Sequence, residues 1–135
     1  MRRGALALVC FVAAGCGAGG PKTTVTFASH LRVTSVELTA DTHTPKAGAK
    51  WSYAVRVTDG RGRPLPARVH LQILFGGAPV GQVGAHRVRG LWRETLGTPR
   101  NPPWPARSRG VPLTFQAVVT ANGMTVKRNW WIRVR

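Results

Sequence analysis

The sequence predicts an all-β chain, a Greek-key β-sandwich of about seven strands. Three observations predict it. Apolar and polar residues alternate through residues 49–57, 67–75 and 113–121, the period of a strand with one buried face. Gly, Pro and Asn-Gly turn signals separate these runs at short intervals, the punctuation of a sandwich. No stretch has a convincing 3.6-residue apolar period, and prolines interrupt most candidates; both facts argue against helices.

The chain opens with Met1-Arg2-Arg3, a positive segment, followed by an uncharged and largely apolar run from Gly4 to Gly15. This is the layout of a secretory signal peptide. The run is too short to span a bilayer, which takes about 20 apolar residues. Val12-Ala13-Ala14-Gly15-Cys16 resembles the lipobox of bacterial lipoproteins, in which the Cys receives diacylglycerol and the chain is cleaved before it. That family usually has Leu where Ala13 stands. The resemblance implies Cys16 as the lipid-attachment residue, with acyl chains such as palmitate holding the protein to the outer face of the bacterial plasma membrane. Without acylation, the same layout makes a secreted protein. The expected division is a signal peptide over 1–15, the lipid-anchored Cys and a flexible linker over 16–30, and the sandwich domain over 31–135. Gly17 to Thr24 is Gly-rich and polar, as a spacer requires.

The elements follow in order. Val25-Thr26-Phe27 is either a short strand or extended linker. Leu31 and Val33, then Val36 and Leu38, form two pairs of opposite parity, which predicts a bulge or a strand that changes sheets. Residues 40–48 are a breaker-rich turn. A central hairpin is expected next, with strands at 49–58 and 67–75 about the turn Asp59-Gly60-Arg61-Gly62-Arg63-Pro64-Leu65-Pro66. Val80 to Val83 suits a short edge strand. Val88, Gly90, Trp92 and Leu96 share a parity that predicts one strand over 87–96, with Glu94 an awkward member of its apolar face. Residues 97–112 read as a long proline-rich loop. Leu113 to Ala121 is the cleanest alternation in the chain. Asn122-Gly123 then predicts a tight hairpin, because both central positions of a type I′ turn need positive φ. The return strand carries Met124, Val126, Trp130, Ile132 and Val134 on one parity. Arg128 shares that parity, which places it near an edge. Trp130 and Trp131, being adjacent, must face opposite sides. Trp51 and Trp92 read as core.

Residues 57–69 run strand, Asp-Gly, a short gap, Pro and a second strand. This is similar to the turn between the second and third strands of bacterial immunoglobulin-like surface domains. The start at Pro112-Leu113-Thr114-Phe115 and the Gly-centred final hairpin fit the same pattern. The resemblance covers residues 31–135 and implies an immunoglobulin-like Greek-key sandwich; it implies a fold far more than a role.

The composition narrows the function classes. With 135 residues there is room for one domain. The net charge is +16, Arg supplies 16 of the 20 basic residues, and the only acids are Glu37, Asp41, Asp59 and Glu94. A hydrophobic content of 43% excludes a disordered polar chain. Both cysteines lie in the first 16 residues, so the domain can have neither a disulfide framework nor a Cys-based metal site. The charge is expected to be spread over most strands and not gathered into one patch. A GC-rich genome explains the arginine excess as well as selection for polyanion binding does.

No catalytic residues are predicted, because the acids form no close pair and the serines sit in no nucleophile-elbow context. His30, His43, His70 and His86 lack metal-ligand spacing; no metal and no cofactor are expected. His70 falls on the outward parity of its strand. The candidate partner-binding segment is the loop 100–109, where Trp104 stands among prolines with Arg100, Arg107 and Arg109. Two readings of it stay open. The arginines grip an acidic group while the indole stacks on a sugar or peptide, or Trp104 folds back to cap the sandwich and the arginines are merely solvated.

The expected function is therefore an exported, lipid-anchored surface protein with a non-enzymatic immunoglobulin-like interaction or structural module. A first alternative is a binding protein for an acidic envelope polymer or carbohydrate through the loop 100–109. A second is a metal-binding or small-ligand sandwich. The expected partners are the membrane, through the N-terminal lipid, and an anionic envelope polymer or a surface protein; no nucleic acid is expected.

Overall fold

The computed structural model describes residues 34–135. The expected signal peptide, the lipobox-like segment with Cys16, the expected linker, Val25–Phe27 and the Leu31–Val33 pair all lie outside the described residues. Seven strands follow: β1 (Thr34–Ala40), β2 (Trp51–Asp59), β3 (Pro66–Phe75), β4 (Ala78–Arg89), β5 (Leu91–Leu96), β6 (Pro112–Ala121) and β7 (Met124–Arg133). They form a three-stranded sheet, β1-β2-β5, and a four-stranded sheet, β4-β3-β6-β7. Every pairing is antiparallel. The fold is a two-sheet β-sandwich, as the alternation and the turn chemistry predicted, and it is immunoglobulin-like, as the resemblance of residues 57–69 implied.

The apolar parity of each strand forms the core. Along β2, Trp51, Tyr53, Val55 and Val57 are all buried. Val69 and Leu71 of β3, Phe115, Ala117 and Val119 of β6, and Ile132 of β7 meet them from the other sheet. Phe115 sits edge-on to Trp51 at 5.0 Å and against Tyr53 at 4.9 Å. Burying each such large side chain contributes about 1.5–3 kcal/mol, which lets a domain with no cysteine rely on packing.

Three expectations about connections need correction. Residues 49–58 and 67–75 are not a hydrogen-bonded hairpin, since β2 pairs with β1 and β5 while β3 pairs with β4 and β6. The intervening turn carries the chain from one sheet to the other, so the two apolar faces oppose each other across the core. Second, β4 remains an edge strand but runs the full 12 residues Ala78–Arg89, with register shifts opposite Leu71/Gln72 and Ile73/Leu74. Third, residues 87–96 are not one strand. The chain breaks at Gly90 and changes sheets there, with φ +79° and Pro64 so close that a Cβ would lie 2.7 Å from its ring. Only glycine allows that backbone and that approach. Within the described residues β1 shows no register shift and stays in one sheet.

The last hairpin is as predicted: Ala121 pairs with Met124, with Asn122 at φ 51° and Gly123 at φ 75°. Arg128 does lie on an edge strand, where its Nε–H donates to the Val36 carbonyl across the open side of the sandwich at 2.8 Å. Residues 43–47 run beside the end of β7, since Arg133 and Arg135 donate backbone N–H groups to His43 and Pro45, and Ala47 donates to Arg135.

Candidate functional site

The loop 100–109 separates the two readings of Trp104. Trp104 is 1% exposed and stands edge-on to Trp51 at 5.3 Å, and its carbonyl accepts the Gly48 N–H at 2.9 Å. The indole caps one end of the core and offers no surface to a partner. Arg100, Arg107 and Arg109 are exposed. The loop thus has cations but no accessible ring. Sequence position alone cannot distinguish a ring that projects from one that folds back.

At the side of the sandwich where β4 and β5 approach, Glu94 accounts for its place on an apolar face. The Tyr53 hydroxyl donates to its carboxylate, and the Trp92 indole N–H donates to the Tyr53 oxygen at 3.3 Å. Trp92 is half-buried and stacks on His86 at 4.2 Å, and the His86 Nε2 lies 3.5 Å from Glu94. Burial raises the Tyr53 hydroxyl's pKa, and the Glu94 hydrogen bond raises it further, so Tyr53 stays a neutral donor. His70 points outward and His43 lies elsewhere, between Trp130 and Trp131. Among the described residues, no group of three or more His, Cys, Asp or Glu side chains is placed to hold a metal ion.

The feature that chain order conceals is the distribution of acids. The strands of the three-stranded sheet contain Glu37, Asp59 and Glu94 with Arg56 and Arg93. Those of the four-stranded sheet contain Arg68, Arg87, Arg89, Lys127, Arg128 and Arg133, and no acid. The basic residues are spread along the chain as expected. The expectation that no patch results is corrected for the outward face of this sheet, because no acid lies within its strands and the one acid that reaches it, Glu94, meets His86 at the side of the sandwich. Asp59 is buried in the β2–β3 turn. Its carboxylate accepts the backbone N–H groups of Arg61 and Arg63 and pairs with the Arg63 guanidinium at 2.7 Å. Its pKa is lowered to about 2, chiefly by the Arg63 backbone N–H.

On the outward face of the four-stranded sheet, the residues lie in rows across the strands. Leu74, Thr114 and Trp131 share one row; Gln72, Gln116 and Asn129 the next; His70, Val118 and Lys127 the third; Arg87, Arg68, Thr120 and Thr125 the fourth. Beyond Trp131, Arg133 stands opposite Pro112, so the face runs from a cation through aromatic and amide rows to a second cationic end. The amide row is hydrogen-bonded from strand to strand, Gln72 to Gln116 at 2.9 Å and Gln116 to Asn129 at 2.8 Å. Trp131 is 58% exposed. Beside it, a groove of about 610 Å³ is lined by Phe75, Gly77, Thr114 and Arg133 among others. Each residue's parity was readable in the sequence; the rows required knowing which strands are neighbours.

No protein-family model matches the chain, and no curated protein matches it. Among solved structures, it is similar to the CARDB domain of the PF1109 protein from Pyrococcus furiosus, solved in complex with di-metal ions. The TM-score is 0.51 at 13% identity, covering 76% of this chain and 87% of that one. The sporulation control protein Spo0M of Bacillus subtilis gives a TM-score of 0.48 at 13% identity over 76% of this chain and 49% of that one. At such identities, the likeness to the CARDB domain shows the shared immunoglobulin-like sandwich and nothing of the role.

Proposed function

We propose that the protein is an exported, lipid-anchored, non-enzymatic module that presents its four-stranded sheet to an anionic partner in the bacterial envelope. Cys16 is the residue on which the anchor rests, and its lipobox-like setting supports that reading. The observation that carries the binding role is the acid-free sheet, with Arg68, Arg87, Arg89, Lys127 and Arg133 on its outward parity. A surface of one sign concentrates ligands of the other and speeds their encounter. The arginines of the loop 100–109 add charge to this partner's approach, without a role for Trp104.

The test is retention of the full chain on an immobilised polyanion under a salt gradient. Charge reversal on the four-stranded sheet (Arg68→Glu with Lys127→Glu) is expected to lower affinity roughly tenfold or more. The matched reversal on the other sheet, Arg56→Glu with Arg93→Glu, should change it about twofold. Equal losses from the two pairs would overturn the assignment of the face. For the anchor, Cys16→Ser is expected to release the protein from membranes into the medium; a variant that fractionates with membranes like the wild type would rule the lipid attachment out.

A further inference from the structure

We infer that the anionic partner is an acidic glycan, a sugar polymer carrying carboxylate or phosphate groups, bound along β7 on the outward face; this rests on the proposed reading of that face. A polyanion without rings needs only cations. This face has two further features that cations do not explain.

The first is a ring held in place. The His43 imidazole stacks on Trp131 at 4.1 Å and 8° and on Trp130 at 4.1 Å and 11°. The His43 Nδ1–H donates to the Trp131 carbonyl at 2.7 Å. Trp131 is thereby fixed while more than half of it stays in water. A prefixed aromatic loses little entropy on binding and supplies a broad apolar surface, which matches the C–H face of a sugar ring. The second is the amide row. Gln116 is 7% exposed and occupied on both sides, and it holds Gln72 and Asn129 in register. Those two outer amides keep donor and acceptor capacity for hydroxyl groups.

The order along β7 joins these features. Arg133, Trp131, Asn129 and Lys127 alternate with inward residues, so they follow one another on one face at steps of about 7 Å. Cation, ring, amide and cation thus lie in line on an edge strand, with Arg68 behind them on β3. A neutral glycan would leave the cations unused, and a polyphosphate would leave the indole and the amides unused. An acidic glycan engages all of them.

The experiment titrates the full chain with polygalacturonate, with its neutral methyl ester and with polyphosphate, and repeats each with Trp131→Ala and Trp131→Tyr. Expected are binding of polygalacturonate, a loss of roughly tenfold on esterification, and a loss of roughly tenfold with Trp131→Ala. Trp131→Tyr should retain affinity within about threefold, and polyphosphate binding should be the same in all three proteins. If Trp131→Ala leaves polygalacturonate binding unchanged while polyanions still bind, the glycan inference is overturned and the proposed anionic face stands. If no polyanion binds, both are overturned. A parallel titration uses phosphatidylglycerol vesicles, and Trp131-dependent binding to them with none to polygalacturonate would overturn the glycan in favour of a membrane surface.

Discussion

On the outward face of the three-stranded sheet, Glu37 stands 3.5 Å from Arg56, and Asp41 accepts the Ser52 backbone N–H. A depression of about 540 Å³ on that side is lined by Asp41 and Glu94 together with Arg93. On the four-stranded sheet, the outward positions hold cations, amides and Trp131, with no acid within its strands. The buried core positions of both sheets are alike in kind, being Val, Leu, Ile, Ala and aromatic residues. Burial sets the inward parity of both sheets alike. The outward parity is free of that demand, so the two outward faces can differ in charge where the two inward faces cannot.

The largest expected effects test the equivalence of the inward faces. Trp51→Ala and Phe115→Ala, one from each sheet and in mutual contact, should each cost about 3–5 kcal/mol in a urea titration. Trp104→Ala should fall in the same range because that ring is equally buried. A loss at Trp104 below about 1 kcal/mol would return the indole to the solvent and reopen the loop as a binding element.

Arg128→Ala sharpens the comparison at the seam between the sheets. It removes the bond to the Val36 carbonyl and should cost about 1–2 kcal/mol. No change would mean that packing alone closes that side.

A smaller effect has a defined pH window. The Asp59 pKa lies at about 2 in the folded protein, below its ordinary 3.8. The depressed value means that ionised Asp59 favours the folded state, so its contribution is complete above about pH 4 and is lost as pH falls towards 2. Asp59→Asn should remove that part of the acid sensitivity in denaturation curves recorded between those limits. An unchanged pH profile would refute the turn's electrostatic role.

The smallest effects belong to the outward faces. Removing Glu37 or Arg56 should change stability by about 0.5 kcal/mol or less, and Trp131→Ala by less than about 1 kcal/mol. A destabilisation at Trp131 as large as at Trp51 would show that the ring serves the fold and not a ligand.

The alternation along β2, β3, β6 and β7, the inward place of Trp130 and the Asn122-Gly123 turn were legible in the sequence, because each depends on neighbours within a few residues. Glu94 was legible as a misfit, but its partner Tyr53 lies 41 positions away. The break at Gly90 was hidden because Pro64, on another connection, imposes it. The burial of Trp104 was hidden because the surface it covers belongs to Trp51.

By itself, the sequence determined which side chains turn inward, since a period of two follows from strand geometry alone. It also determined the excess of positive charge. Tertiary structure decided which strands are neighbours. Only that pairing assembles the four acid-free strands into one sheet, aligns Gln72, Gln116 and Asn129 into a row, and sets His43 between Trp130 and Trp131. Contacts between residues dozens of positions apart depend on which sheet each strand joins, and local periodicity does not carry that information.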